Sequence, residues 1–343
     1  MTTNYESPWP LMPVPALVNA SRLPNGTNAP ATVIATPRHQ RIVDNPSSSS
    51  ANLFEYPAMP YARIAAIIPC ISATVPATVL AAIRNQTRQV DELIVVHGVS
   101  PNGRARNQGV AQSSAEWLLF IDDDAVLGHP ELIERLFTAA QQPGIAIVGS
   151  ARILPLDAPA FQHAVANQVA RIVHPVVTHD TITNPDPPSF YCDITTTCCL
   201  ISRAWFERIG GFDANLSRGV DSEFFVRARR TDPGAGNLMI VANTWVYHPA
   251  PASLRALWRK HVAYGIGHAQ EVRRDPTRAR GGNYFHTSIH ALLWILFRTL
   301  IVPIHTIVPY SYGAPQWRIG WYPLKAFASY ASAVGYVMGW YQS

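Results

Sequence analysis

Residues 103–125 read GRARNQGVAQSSAEWLLFIDDDA, and the fold turns on this stretch. Residues 117–121 (WLLFI) carry no charge and no polar alternation, the pattern of a strand covered on both faces. The run stops abruptly at Asp122-Asp123-Asp124, and residues 104–114 before it read as a helix. Outward from here the same grammar repeats. Residues 64–69 (IAAIIP), 93–97 (LIVVH) and 145–150 are further short apolar runs. Between them, Pro76 opens a helix reaching about Gln86 with Val79, Leu80 and Ile83 on one face. Residues 130–141 form an amphipathic helix with Leu132, Ile133, Leu136 and Phe137 inward. Strands alternating with helices predict an α/β fold with a doubly wound, mostly parallel sheet and flanking helices. Ligands of such sheets bind beyond the carboxyl ends of the strands, which is where the three acids stand.

The rest of the chain sets the domain limits. Residues 1–60 are rich in Pro, Asn, Ser and Thr and read as an extended or partly disordered extension, with a short strand at 32–36. Residues 1–20 lack the basic start and apolar run of a signal peptide. Residues 61–252 hold the α/β pattern, including an irregular Pro/His-rich stretch at 151–192, strands at 194–202 and 238–246, and a helix at 221–230 with Phe224, Phe225 and Ala228 inward. Residues 253–343 form a basic, amphipathic and apolar helical region. Cys70, Cys192, Cys198 and Cys199 make no CxxC pair, which argues against a zinc knuckle and suits a reducing compartment. Among 343 residues, 48% are hydrophobic and only 14% charged, with a net charge of +5. That balance fits phosphates, acidic ligands or an anionic bilayer. No nucleic-acid-binding signature accompanies it.

Three groups of residues carry chemistry. Asp122-Asp123-Asp124 end a buried strand, where oxygen ligands can hold Mg²⁺ or Mn²⁺ against a diphosphate. The alternative is a solvated acidic turn capping the next helix. Gly210-Gly211-Phe212-Asp213 precede Asp221-Ser222-Glu223; Asp221 is the candidate general base, with Glu223 as fallback, or else Asp221 only caps its helix. His248, in Trp245-Val246-Tyr247-His248-Pro249, closes a late strand and offers an imidazole as a further metal ligand, or packs in the core.

The order IAAIIP, LIVVH, GRARNQGVAQSSAEWLLFIDDDA, GGFD and VDSEFF over residues 62–265 resembles a family 2 glycosyltransferase of the GT-A fold. The resemblance implies a nucleotide-diphospho-sugar donor, a divalent metal (Mn²⁺ or Mg²⁺) and inversion at the anomeric carbon. It makes Asp122 and Asp124 the metal- and ribose-facing pair with Asp123 between them, Asp221 the base, and His248 a metal ligand. Pro69 would border the nucleotide base, and Arg104 or Arg106 the donor phosphates. The family's usual Asp after the second strand is here His97, which either contacts a base differently or simply closes the strand. Two other classes stay open: a non-catalytic nucleotide-sugar-binding or assembly protein, and a nucleotidyltransferase. The latter lacks support from the loop after the first strand, Cys70-Ile71-Ser72-Ala73-Thr74, which is neither Gly-rich nor basic.

Residues 287–310 are apolar but broken by Arg298 and Pro303, and a charge at mid-bilayer costs at least about 2.5 kcal/mol. Helices lying in the interface are therefore expected, beside the basic 255–280 segment (Arg255, Arg259, Lys260, Arg273, Arg274, Arg278, Arg280) and aromatics such as Trp294, Trp317, Trp321 and Trp340. The expected location is the cytoplasmic face of a cell membrane, peripheral, monotopic or re-entrant, with a carbohydrate or lipid-linked acceptor. A soluble homo-oligomer burying the same surface is the alternative.

Overall fold

The computed structural model describes residues 62–184, 193–279, 284–307 and 320–342. The N-terminal extension, its strand at 32–36, Cys192, Arg280 and Trp317 lie outside the described residues. Residues 59–343 form one compact unit.

The expected alternation is present. In chain order the elements are β1 (Ile64–Cys70), α1 (Ala77–Arg84), β2 (Glu92–His97), α2 (Asn102–Gln112), β3 (Trp117–Ile121), β4 (Val126–Leu127), α3 (Leu132–Ala140), β5 (Ile145–Ile153), α4 (Ala160–Gln168), β6 (Thr181–Ile182), β7 (Cys198–Ser202), α5 (Arg203–Ile209), α6 (Val220–Thr231), β8 (Asn237–Tyr247), α7 (Leu254–Arg274), α8 (Ser288–Leu300), α9 (Val302–Ile307) and α10 (Pro323–Gln342). Among the described residues the sheet has the order β2-β1-β3-β7-β5-β8-β4, with β6 also on β8. β1, β2, β3, β5 and β8 run one way; β4, β6 and β7 run against them. The stretch expected to be irregular, 151–192, contains α4 and β6.

Both sheet faces are covered, which explains the unbroken apolar runs. In β1, Ile64, Ala66 and Ile68 join a core under α1 and α3, while Ile67 belongs to the opposite core. In β3, Leu119 and Ile121 face the first core and Leu118 and Phe120 the second. The second core is aromatic: Phe120, Phe206, Phe212, Phe224 and Phe225 touch ring to ring, with Phe212 and Phe224 centroids 4.4 Å apart. The inward set expected on α6 is buried, and on α3 Leu132, Ile133 and Leu136 are buried while Phe137 is only half-buried.

The C-terminal helices join this body through Val165 of α4, Leu257 of α7 and Ala328 of α10, which share one small core. Gln168 Oε1 accepts from the Leu324 backbone N–H at 2.9 Å. α7 and α10 approach closely because glycines stand at their contact. A Cβ on Gly335 would strike the Val262 backbone, and one on Gly339 would lie 2.7 Å from Ile266 Cα. Gly335→Ala should therefore force backbone apart and destabilise this helix pair by about 1–3 kcal/mol, the range for overpacked sites. Denaturant unfolding of the variant checks this; an unchanged midpoint would contradict the close contact.

Candidate functional site

Ladder register gathers the acids and the imidazole. Ile121 of β3 faces Cys198 of β7, and the pairing runs one bond further, from the Asp122 N–H to the Thr197 carbonyl at 3.2 Å. The chain then turns, with the Ala125 N–H donating to the Asp122 carbonyl at 3.1 Å. β4 follows, and its Val126 pairs with Tyr247 of β8. Asp124 lies just before Val126 and His248 just after Tyr247, so the antiparallel pair sets them side by side. His248 Nε2 stands 3.4 Å from Asp124 Oδ1. The His248 N–H also donates to the Ile153 carbonyl at 2.9 Å, anchoring the residue to the end of β5. Asp122, Asp124 and His248 each offer a ligand atom within 4.8 Å of one another.

Asp122 is fixed from two sides. Arg106, only 3% exposed, donates through Nη2 to Asp122 Oδ1 at 2.6 Å, and the Thr197 hydroxyl donates to Oδ2 at 3.2 Å. Each carboxylate oxygen keeps a second lone pair, so both bonds are compatible with metal ligation. Arg106, expected at the donor phosphates, is committed to this carboxylate. The next residue along α2 clamps backbone instead. Asn107 Nδ2 donates to the Phe212 carbonyl at 2.7 Å, and Asn107 Oδ1 accepts the Phe212 N–H at 3.0 Å. A side chain on Gly103 would meet the Asp213 carbonyl at 2.6 Å and Val220 Cγ1 at 2.9 Å, so the start of α2 lies directly against the start of α6. That packing requires the sharp exit of α5, where Gly210 and Gly211 take φ values of +90° and +69°.

Asp221 occupies the first turn of α6 and accepts the Ser222 N–H at 2.9 Å. The buried Cys199 thiol is pushed well up, first by burial and then by Cys198, and the charges of Asp221 and Asp122 add to the rise. Glu223, the fallback base, is engaged: Arg227 clamps its two oxygens at 2.8 and 2.9 Å while also donating to the Gly211 carbonyl at 2.7 Å.

The electrostatics of the trio suit a cation. Burial and then the Asp122 and Asp123 charges push Asp124 up to about 7. Its side chain keeps 50% of its surface open, so the crowding of like charges is the more durable cause. Burial and then the Lys260 charge push His248 down to about 4, which leaves it neutral with a lone pair for a metal. Lys260, on α7, also acts on Asp124. In sequence it is one cation of a basic surface, yet its charge reaches the trio. Oxygen ligands beside a neutral imidazole form a donor set that suits Mn²⁺ or Mg²⁺.

The remaining expected residues line the other strand ends. Pro69 is buried and pairs with Val96; Cys70 pairs with His97. His97 is exposed, and its Nδ1 lies 3.0 Å from the Ser72 carbonyl, tying the loops after β1 and β2. Asp123 interacts with the Cys70 thiol, which burial raises most and Asp123 raises further. Arg104 is exposed on α2, apart from the Arg106 contact. Sequence alone does not single out Thr197 and Asn107; the only cues are the Thr195-Thr196-Thr197 run before β7 and the Asn beside Arg106.

Residues 99–210 match the family model described as Glycosyl transferase family 2. Asp221 and His248 lie beyond that stretch. The chain is 27% identical over 174 residues to the O-antigen biosynthesis protein RfbC of Myxococcus xanthus, covering 46% of this chain and 13% of that protein. It thus spans a small part of that relative's length. Similar solved structures include the mannosyltransferase PcManGT from Pyrobaculum calidifontis in complex with GDP-Man and Mn²⁺, at 13% identity, covering 81% of this chain and 86% of that one, with a TM-score of 0.45. Another is glucosyl-3-phosphoglycerate synthase from Mycobacterium tuberculosis in complex with phosphoglyceric acid, at 17% identity, covering 64% and 82%, with a TM-score of 0.44. Likenesses this distant carry no ligand or residue role to this chain.

Because a proton on Asp124 competes with a cation and His248 stays neutral, Mn²⁺ affinity should be near its full value above about pH 7 and fall below it by up to about tenfold per unit. Calorimetric titration of Mn²⁺ between pH 5.5 and 8 checks the sign; affinity independent of pH would contradict it.

Proposed function

We propose that this chain, a family 2 glycosyltransferase across residues 99–210, moves a sugar with inversion from a nucleotide-diphospho-sugar to an acceptor hydroxyl, with Asp221 as general base. The observation that carries this reading is the meeting of Asp122, Asp124 and His248 at the neighbouring ends of β3 and β8, with Asp221 in the first turn of α6, whose start packs on the start of α2.

Asp122, Asp124 and His248 would hold Mn²⁺ or Mg²⁺. When bound, the ion neutralises charge gathering on the departing diphosphate. Asp122 is oriented for this by Arg106 and Thr197. Lys260, whose charge reaches the trio, adds a protein cation for the phosphates. Asp123, His97 and Pro69 border the space after β1 and β2, where the nucleotide would lie, and exposed Arg104 flanks it. Asp221 takes the proton from the acceptor hydroxyl as the new bond forms, which prevents a cationic oxygen from building up. It is preferred to Glu223 because Arg227 already occupies both Glu223 oxygens. The part RfbC plays in O-antigen biosynthesis favours a glycan acceptor, carbohydrate or lipid-linked.

A screen of UDP-, GDP- and dTDP-sugars with Mn²⁺ should release a nucleoside diphosphate from one of them. Release of pyrophosphate would instead indicate a nucleotidyltransferase, and binding without turnover a non-catalytic protein. Asp221→Asn should leave donor affinity near normal and slow transfer by about 10²–10⁴-fold. Unchanged turnover in that variant would reject Asp221 as the base.

A further inference from the structure

α8 and α9 present an apolar stripe outward. Ile289, Leu292, Leu293, Leu296 and Leu300 recur three and four residues apart on α8 and remain 51–77% exposed. Ile304 and Ile307 extend the stripe onto α9, 59% and 47% exposed. The helix is not free to roll this face inward, because its opposite side is committed. Ala291 is buried, Trp294 packs on Phe285 and Tyr336, Arg298 donates to the Ser329 hydroxyl at 2.8 Å, and the Thr299 and Tyr330 hydroxyls lie 3.1 Å apart. Single exposed leucines are ordinary, but a continuous stripe marks an interaction surface.

Charge indicates what covers it. Residues 276–343 contain five Arg or Lys and no Asp or Glu. Arg274 at the end of α7 is paired with Asp213, while exposed Arg273 lines a cavity of about 380 Å³ with His286, Thr287 and Ser288 at the start of α8. A second copy of the chain would offer the stripe only the same segment, which carries no acid to meet exposed Arg273. An anionic lipid surface is complementary both to the stripe and to the basic, acid-free segment that carries it. No described helix is long and apolar enough to cross a membrane, so the stripe would lie along the bilayer plane.

We propose that α8 and α9 are an interfacial anchor that lays this stripe into the headgroup region of an anionic bilayer. The anchor does not rest on the transferase chemistry, and its test reads no activity. In flotation assays the full-length protein should rise with phosphatidylcholine vesicles containing phosphatidylglycerol, and less so as salt is raised. The double variant Leu293→Glu/Leu296→Glu changes two exposed positions, so circular dichroism should be unaltered while vesicle partition falls by about tenfold or more. Equal flotation of parent and variant would overturn the proposal. So would a parent that ignores vesicles but elutes as a dimer which the variant splits, since the face would then join two copies.

Discussion

Two neighbouring side chains on α2 hold the active end of the molecule together. Arg106 is buried and bonds Asp122; Asn107 grips the backbone of Phe212 with a donor and an acceptor. The first fixes an acid at the end of β3, and the second fixes the turn that leads to α6 and Asp221. Acids far apart in sequence therefore share one reference point, a single helical turn. Removing Asp122 would leave the buried Arg106 guanidinium without its carboxylate, a charge kept out of water with no counter-ion. Gly103 and Gly109 let this turn sit close: a Cβ on the first would strike the start of α6, and one on the second Ile67 of β1.

Around that reference the site stores electrostatic tension. Burial and then the charges of Asp122 and Asp123 lift Asp124 to about 7, while His248 is kept neutral by burial and Lys260. A divalent cation relieves the first effect and uses the lone pair that the second preserves. The acids and the imidazole come from the ends of β3 and β8, so a bound cation would tie those two strand ends together, with the Lys260 charge of α7 beside it and not among its ligands.

Much of this is legible in the sequence because it is written locally. Unbroken apolar runs announce strands covered on both faces, and an abrupt Asp122-Asp123-Asp124 marks a strand end. The inward faces of α3 and α6 follow from helical spacing. What local pattern cannot encode is partnership at long range. An apolar run such as Cys198–Ser202 reads the same whether it lies parallel or antiparallel, so the direction of β7 stays hidden. Lys260 looks like one more cation of a basic helix, because its distinction lies in what it faces. α4 and β6 are obscured by flanking prolines and histidines, and Thr197 matters only through the carboxylate it meets across the sheet.

The reversed direction of β7 has an architectural effect. In a parallel strand the residues arriving at the ligand end are those that leave the strand; in β7 they are those that enter it, which is why Thr197 meets Asp122. The long connection from β5 is thereby delivered to Asp122 at its far end, while its near end departs from Ile153, beside His248. Both roots of that excursion are bonded to the candidate trio, one at Asp122 and the other at His248. Between them, substitutions and length changes can be absorbed without moving Asp122, Thr197 or His248.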